Sequence, residues 1–227
     1  ISLGIGALVG ITSFRENLIA EIDGQAKNLL GADVSVRGKA ELPDSLFFQI
    51  SRLSKDESSE VYFASMVRFP NTDGTRLVQI RALEGKYPYY GDIETEPHRA
   101  AQDFRIAQKA LVDEKLMIQF DVQLGDSIKV GNISFEIVGK IQKIPGQSDV
   151  NSSVAPVVYI PLKYLAETGL IQKGSIINYI TYFQFHPDID TTNVFEESRN
   201  ILEEAGYDVD NVEDRKAQTG RAFRDLS

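Results

Sequence analysis

The chain has no cysteine. That excludes a disulfide scaffold, thiol catalysis and cysteine-ligated metal. It has two histidines, His98 and His186, far apart in the chain, so a zinc or histidine-based catalytic centre has little support. Positive charge is also short. Twenty-four Lys and Arg stand against 33 Asp and Glu, a net charge of −9, which argues against nucleic-acid binding because that needs a basic footprint. There is no Gly-x-Ser-x-Gly elbow and no Gly-x-x-x-x-Gly-Lys-Ser/Thr loop, so the chain is not itself an ATPase. No low-complexity tract or internal repeat is evident, and no stretch forms a complete transmembrane helix, which takes about 20 apolar residues.

What is present organises itself around the beginning. Residues 1–14 carry no charge, and a helical pattern continues from them. Phe14, Leu18, Ile19, Ile22, Ala26, Leu29 and Leu30 share one face, while Arg15, Glu16, Glu21, Asp23, Lys27 and Asn28 occupy the rest. Gly31 is the natural stop. The pattern suits a helix that is uncharged all round at first and amphipathic afterwards, as at the end of a transmembrane helix. A buried core helix and a signal-peptide remnant are the alternatives, although a basic n-region and a cleavage site are not evident.

Strand Ala32–Val36 follows, then a short helix from Pro43 with Leu46, Phe47, Ile50 and Leu53 on one side. Ser58–Phe69 and Arg76–Glu84 alternate as strands around the turn cluster 70–74, a hairpin. The polar stretch Asp92–Asp103 reads as a linker. Beyond it come strand Ala107–Asp113, helix Glu114–Phe120, strand Ser127–Val130, the tight turn Gly131-Asn132 and strand Ser134–Ile144, interrupted by Gly139. After a polar loop, Val154–Ile160 reads as a strand with Pro156 hinting at a sheet edge, and Pro161–Thr168 as a short helix. Strand Ile177–Phe185, helix Asp188–Ala205, strand Tyr207–Val212 and a helix over Glu213–Ser227 complete the chain. The rhythm β-α-β-β then β-α-β points to an α+β sandwich of helices on an antiparallel or mixed sheet.

Several segments in this order carry a resemblance. They are Leu29-Leu30-Gly31-Ala32-Asp33-Val34, Arg76–Gly91, Val112-Asp113-Glu114, Leu124-Gly125-Asp126-Ser127-Ile128 and Phe135–Gly139. The most specific is Ala-x-x-Gly-x-Tyr-Pro-x-x-Gly at 82–91. Together they resemble the first extracytoplasmic domain of FtsX-like ABC transporter permeases of the MacB type, and within that group the YbbP-like permeases.

The resemblance implies a place between transmembrane helices 1 and 2 of a permease in the bacterial inner membrane, with this domain on the periplasmic side. Residues 1–31 would be the end of helix 1 and a stalk helix. A discontinuous α/β sandwich would comprise 32–103 and 176–212, with a small β-rich subdomain inserted at 104–175. Residues 213–227 would form a stalk leading to helix 2. The resemblance implies no catalytic residue, cofactor or metal in this domain. ATP and Mg would sit on a cytoplasmic ABC ATPase partner, and the domain would relay motion, a mechanism called mechanotransmission, for export or extraction of lipid or other hydrophobic compounds. A periplasmic partner protein and membrane lipid are further expected contacts, and nucleic acid is not. A soluble extracytoplasmic binding or scaffold domain without a transport role is the alternative.

Two segments are candidate contact sites. Tyr87, Pro88, Tyr89 and Tyr90 could grip an apolar substrate or partner, since tyrosine offers a ring and a hydroxyl, or could be a structural loop packed on the sheet. Pro145, Gln147, Asp149 and Asn151 belong to a loop able to meet a partner, or to a plain surface loop. His98 beside Glu94, Glu96 and Arg99 suits a solvated linker better than an acid/base pair. Asp113-Glu114 and Asp188/Asp190 stand at helix starts, where negative charge suits the dipole.

Overall fold

The computed structural model describes residues 21–145, 155–172, 174–188 and 191–217. Residues 21–30 form helix α1, which ends as Gly31 takes a left-handed backbone (φ 70°) and its N–H bonds Lys27 O at 2.7 Å. A Cβ on Gly31 would lie 2.9 Å from the Tyr87 ring, so glycine is required for both conformation and space. Residues 1–20 of the expected long helix lie outside the described residues.

Strand β1 (Val34–Gly38) leads to α2 (Asp44–Ser51), whose first turn closes on Pro43 O through Leu46 N at 3.0 Å and Phe47 N at 2.9 Å. The hairpin is present as β2 (Ser54–Phe69) and β3 (Gly74–Glu84), paired from Ser59–Glu84 to Phe69–Gly74. β2 starts four residues earlier than its alternation suggests, because a register shift near Asp56 lets the polar Ser54–Glu57 segment continue along its neighbour. The expected linker is structured instead. It contains β4 (Glu94–Glu96) and the short α3 (Ala100–Asp103).

Next come β5 (Lys109–Asp113), α4 (Glu114–Phe120), β6 (Ser127–Val130), β7 (Ile133–Lys143) and β8 (Val157–Pro161). Gly139 lets α3 approach β7, since a Cβ there would lie 2.3 Å from Ala100 Cβ. β8 is not an edge strand. It lies between β3, to which it is parallel, and β5. Pro156 precedes it, so its missing N–H removes no ladder bond, and its carbonyl accepts from Gln79 N at 2.9 Å. The helix expected at 161–168 is two 3₁₀ turns, Leu162–Tyr164 and Ala166–Thr168, the second tightened by Thr168 Oγ1 donating to Leu165 O at 2.6 Å. β9 (Asn178–Phe185), α5 (Thr191–Glu204), β10 (Asp208–Asn211) and helix α6 (residues 212–217) close the described chain.

The fold is α+β. Hydrogen bonds run unbroken in the order β10-β1-β9-β2-β3-β8-β5-β7-β4. β6 joins β7 back to the far end of β2 through Val67–Val130. The strands β2-β3-β8-β5-β7-β6 therefore form a closed ring, which removes free edges there. β2 and β3 serve both the ring and the open part of the sheet. Phe69, Ile80, Val112, Ile128, Phe135 and Val158 fill the ring. On the open part, one face packs Val34, Val36 and Phe183 against Ile50 of α2 and Leu202 of α5. The opposite face packs Tyr182, together with Tyr159 of the ring strand β8, against Ala26 and Leu30 of α1 and against Tyr87.

Candidate functional site at the base of the terminal helices

The start and the end of the described chain meet at one place. Asp23 is on α1 and Lys216 on α6, and Lys216 Nζ lies 2.8 Å from Asp23 Oδ1 and 2.6 Å from Glu213 Oε1. Burial works against the Lys216 ammonium, but its bonds to these two carboxylates raise its pKa above the usual lysine value. α6 is capped by Asn211, the last residue of β10, whose Oδ1 accepts from Asp214 N at 2.8 Å, satisfying a first-turn donor. It is tied sideways by Arg199 to Asp214 at 3.0 Å and by Arg215 to Asp210 of β10.

The tyrosine segment grips the end of α1. Tyr87 is 3% exposed, and its hydroxyl donates to Leu30 O at 3.2 Å. Its ring stacks on Tyr182 of β9 at 3.6 Å between centroids. Tyr89 N donates to Gly31 O at 2.7 Å, and its hydroxyl meets Ser58 Oγ at 2.7 Å. Tyr90 donates to Asp33 Oδ2 at 2.8 Å, with Lys27 Nζ 4.8 Å over its ring. Desolvation leads in pushing the phenols of Tyr87, Tyr89 and Tyr90 up to about 12. Pro88 is half-buried between them, and Arg105 holds the loop by donating to Tyr87 O at 2.5 Å and to Gly85 O. These side chains are turned to the chain's own helix, strand and carboxylate.

Beneath the loop lies a polar network that sequence reading missed. Glu60 of β2 is buried and accepts from Arg81 Nε at 2.5 Å and Nη2 at 3.0 Å, and from Tyr182 OH at 3.1 Å. Burial disfavours the Arg81 cation, but the pull of Glu60 and of the Tyr159 and Tyr182 hydroxyls leaves its pKa raised. Arg81 also lies 5.1 Å from the Tyr159 ring, a cation–π contact. The available signal was a pair of opposite charges set among the alternating apolar residues of the two hairpin strands, Glu60 and Arg81. Their diagonal contact depends on the β2–β3 register, in which Tyr62 rather than Glu60 is opposite Arg81.

The other candidates do not converge. Pro145 is described and half-buried, whereas Gln147, Asp149 and Asn151 lie outside the described residues. His98 is exposed, Glu94 pairs with Lys143 and Glu96 with Lys140. Asp113 caps α4 by accepting from Lys115 N at 2.9 Å. Among the described residues no three His, Asp or Glu are placed to hold a metal ion, and no helix is long and apolar enough to cross a membrane.

This arrangement of an α+β sheet, a shared β ring and terminal helices clamped at one edge coincides with a family match over residues 1–201. The chain belongs to the family of MacB-like periplasmic core domains. It is 22% identical over 179 residues to the uncharacterized ABC transporter permease YbbP of Escherichia coli (strain K12), a match covering 79% of this chain and 22% of that protein. The chain thus spans about a fifth of that relative's length. Among solved structures, it resembles the periplasmic region of MacB from Actinobacillus actinomycetemcomitans with a TM-score of 0.51 at 13% identity, over 85% of this chain and 96% of the other. The extracellular domain of the noncanonic ABC-type transporter YknZ from Gram-positive bacteria aligns with a TM-score of 0.48 at 11% identity, over 75% and 89% of the two chains.

Proposed function

We propose that this chain is the extracytoplasmic part of an ABC transporter permease that couples movement of two membrane helices to movement of the sheet and ring. The observation that carries the reading is the Asp23–Lys216 pair. It joins the first and last described helices side by side, as a domain tethered twice to one membrane face requires. Each helix is also bonded to the sheet, α1 through Tyr87, Tyr89 and Asp33 and α6 through Arg215 and Asp210. A shift of either helix would therefore load β1, β9 and β10 directly. ATP hydrolysis takes place on a separate cytoplasmic ATPase, and the compound moved is a lipid or another hydrophobic molecule.

The test is topological. Cysteine replaces Thr72, exposed in the β2–β3 turn and free of the left-handed backbone that Asp73 adopts (φ 55°). The full-length protein, stripped of other cysteines, is treated in cells with a permeable outer envelope by a membrane-impermeant maleimide. Labelling before lysis is expected. Labelling only after lysis contradicts the reading and favours a binding domain of another compartment.

A further inference from the structure

We propose that the groove between α1, α6 and the sheet binds an amphipathic anion, an acyl chain ending in a carboxylate or phosphate. The groove holds about 490 Å³, within the roughly 300–1,000 Å³ usual for small-molecule sites. Its apolar wall includes Leu29, Tyr62, Tyr87 and Ile180. Its cations are Arg37, Arg81 and Arg215, and among the described residues no aspartate or glutamate lines it. Their carboxylate partners, Asp208, Glu60 and Asp210, stand behind the lining.

Two of these guanidiniums have donors to offer. Arg37 lies 3.6 Å from Asp208 Oδ2, too far for a hydrogen bond, and its side chain is 42% exposed at the groove, so its guanidinium is open to an acceptor there. Arg81 commits Nε and Nη2 to Glu60, and its Nη1 makes no hydrogen bond among the described residues. A planar guanidinium matches both carboxylate and phosphate in two-point geometry.

The strands set the ligand's length scale. Arg37 is opposite Ile180, Ile180 opposite Glu60, and Arg81 is on the next strand beyond. With strands about 4.8 Å apart, three steps place β1 and β3 roughly 14 Å apart. The charged end of the ligand sits at Arg37, and its chain lies across Ile180 toward Tyr62. This site goes beyond the coupling reading and does not depend on it, because binding to the sheet face needs neither membrane nor ATPase.

Calorimetry on the 227-residue chain tests it, with dodecanoate and dodecyl phosphate below their micelle thresholds and dodecanol below its solubility limit as probes. Both anions are expected to bind, and dodecanol about ten-fold or more weaker, as loss of a charged hydrogen bond implies. Arg37→Gln should weaken both anions by about ten-fold, and the half-exposed Leu29→Gln should weaken them with the unfolding midpoint unchanged. Tighter binding of dodecyl phosphate supports the site and points to a phospholipid source. Tighter binding of dodecanoate supports it and points to a free fatty acid. Equal binding of dodecanol overturns the proposal, as does parent-like binding by Leu29→Gln and a folded Arg37→Gln.

Discussion

Lys216 of the last described helix reaches Asp23 of the first across 2.8 Å, although 192 residues lie between them in the chain (24 to 215). The pair is partly exposed, 24% and 41% by side chain. Such pairs contribute about 0–1 kcal/mol, so it marks where the first and last described helices meet more than it stabilises them. Stability at this junction comes from the buried contacts beneath, among them the Glu60–Arg81 pair and Tyr87.

Glu60→Gln should lower the unfolding free energy by about 3–5 kcal/mol, because Arg81 would be left as an uncompensated buried cation. The double variant Glu60→Gln with Arg81→Met should recover part of that loss. Urea denaturation of the three proteins measures both. Equal stability of the single and double variants would refute a bidentate pair that is worth breaking only from one side.

The tyrosine clamp predicts an alkaline limit. Tyr87, Tyr89 and Tyr90 have phenols raised to about 12, against about 10 in an unfolded chain. Raised values mean that the folded state holds its protons more tightly. The contribution is fully present below pH about 10 and is lost as pH rises through about 12. Absorbance titration near 295 nm should show these phenols ionising late, with helix signal lost in the same range. Early ionisation of all nine tyrosines would contradict the clamp.

Gly31→Ala should destabilise by about 1–3 kcal/mol, the cost of a non-glycine residue in a left-handed backbone, with further strain from the Tyr87 ring 2.9 Å from the new Cβ. Thermal unfolding monitored by circular dichroism provides the measure. A neutral or stabilising effect would show that α1 does not end against Tyr87.

Local pattern made much of this fold legible. Helix Glu114–Phe120 and strand Ser127–Val130 have the bounds their periodicity implies, and Pro70–Gly74 turns the hairpin between alternating runs. What escaped depends on distant partners. Glu94–Glu96 is a strand because Lys140–Lys143 of β7 pairs with it, not because Glu-Thr-Glu favours one. The central place of β8 and the closure of the ring through Val67 and Val130 are tertiary facts with no local signature. At the site, Tyr87–Tyr90 stood out as a Gly/Pro-bounded aromatic cluster. Its partners Leu30, Ser58 and Asp33 are 31 to 57 residues away, so its grip on α1 was not readable.

In the proposed coupling, relative motion of α1 and α6 passes through this domain. Cysteines at Asp23 and Lys216 in the full-length permease with its ATPase put that to the test. A lysine-to-aspartate contact spans too far for a direct disulfide, whose Cβ atoms must lie about 3.5–4.5 Å apart, so a short bis-methanethiosulfonate linker would join them. Linking the two helices is expected to lower ATP hydrolysis several-fold, and reductant to restore it. Hydrolysis at the same rate in the linked and reduced states would contradict the coupling role.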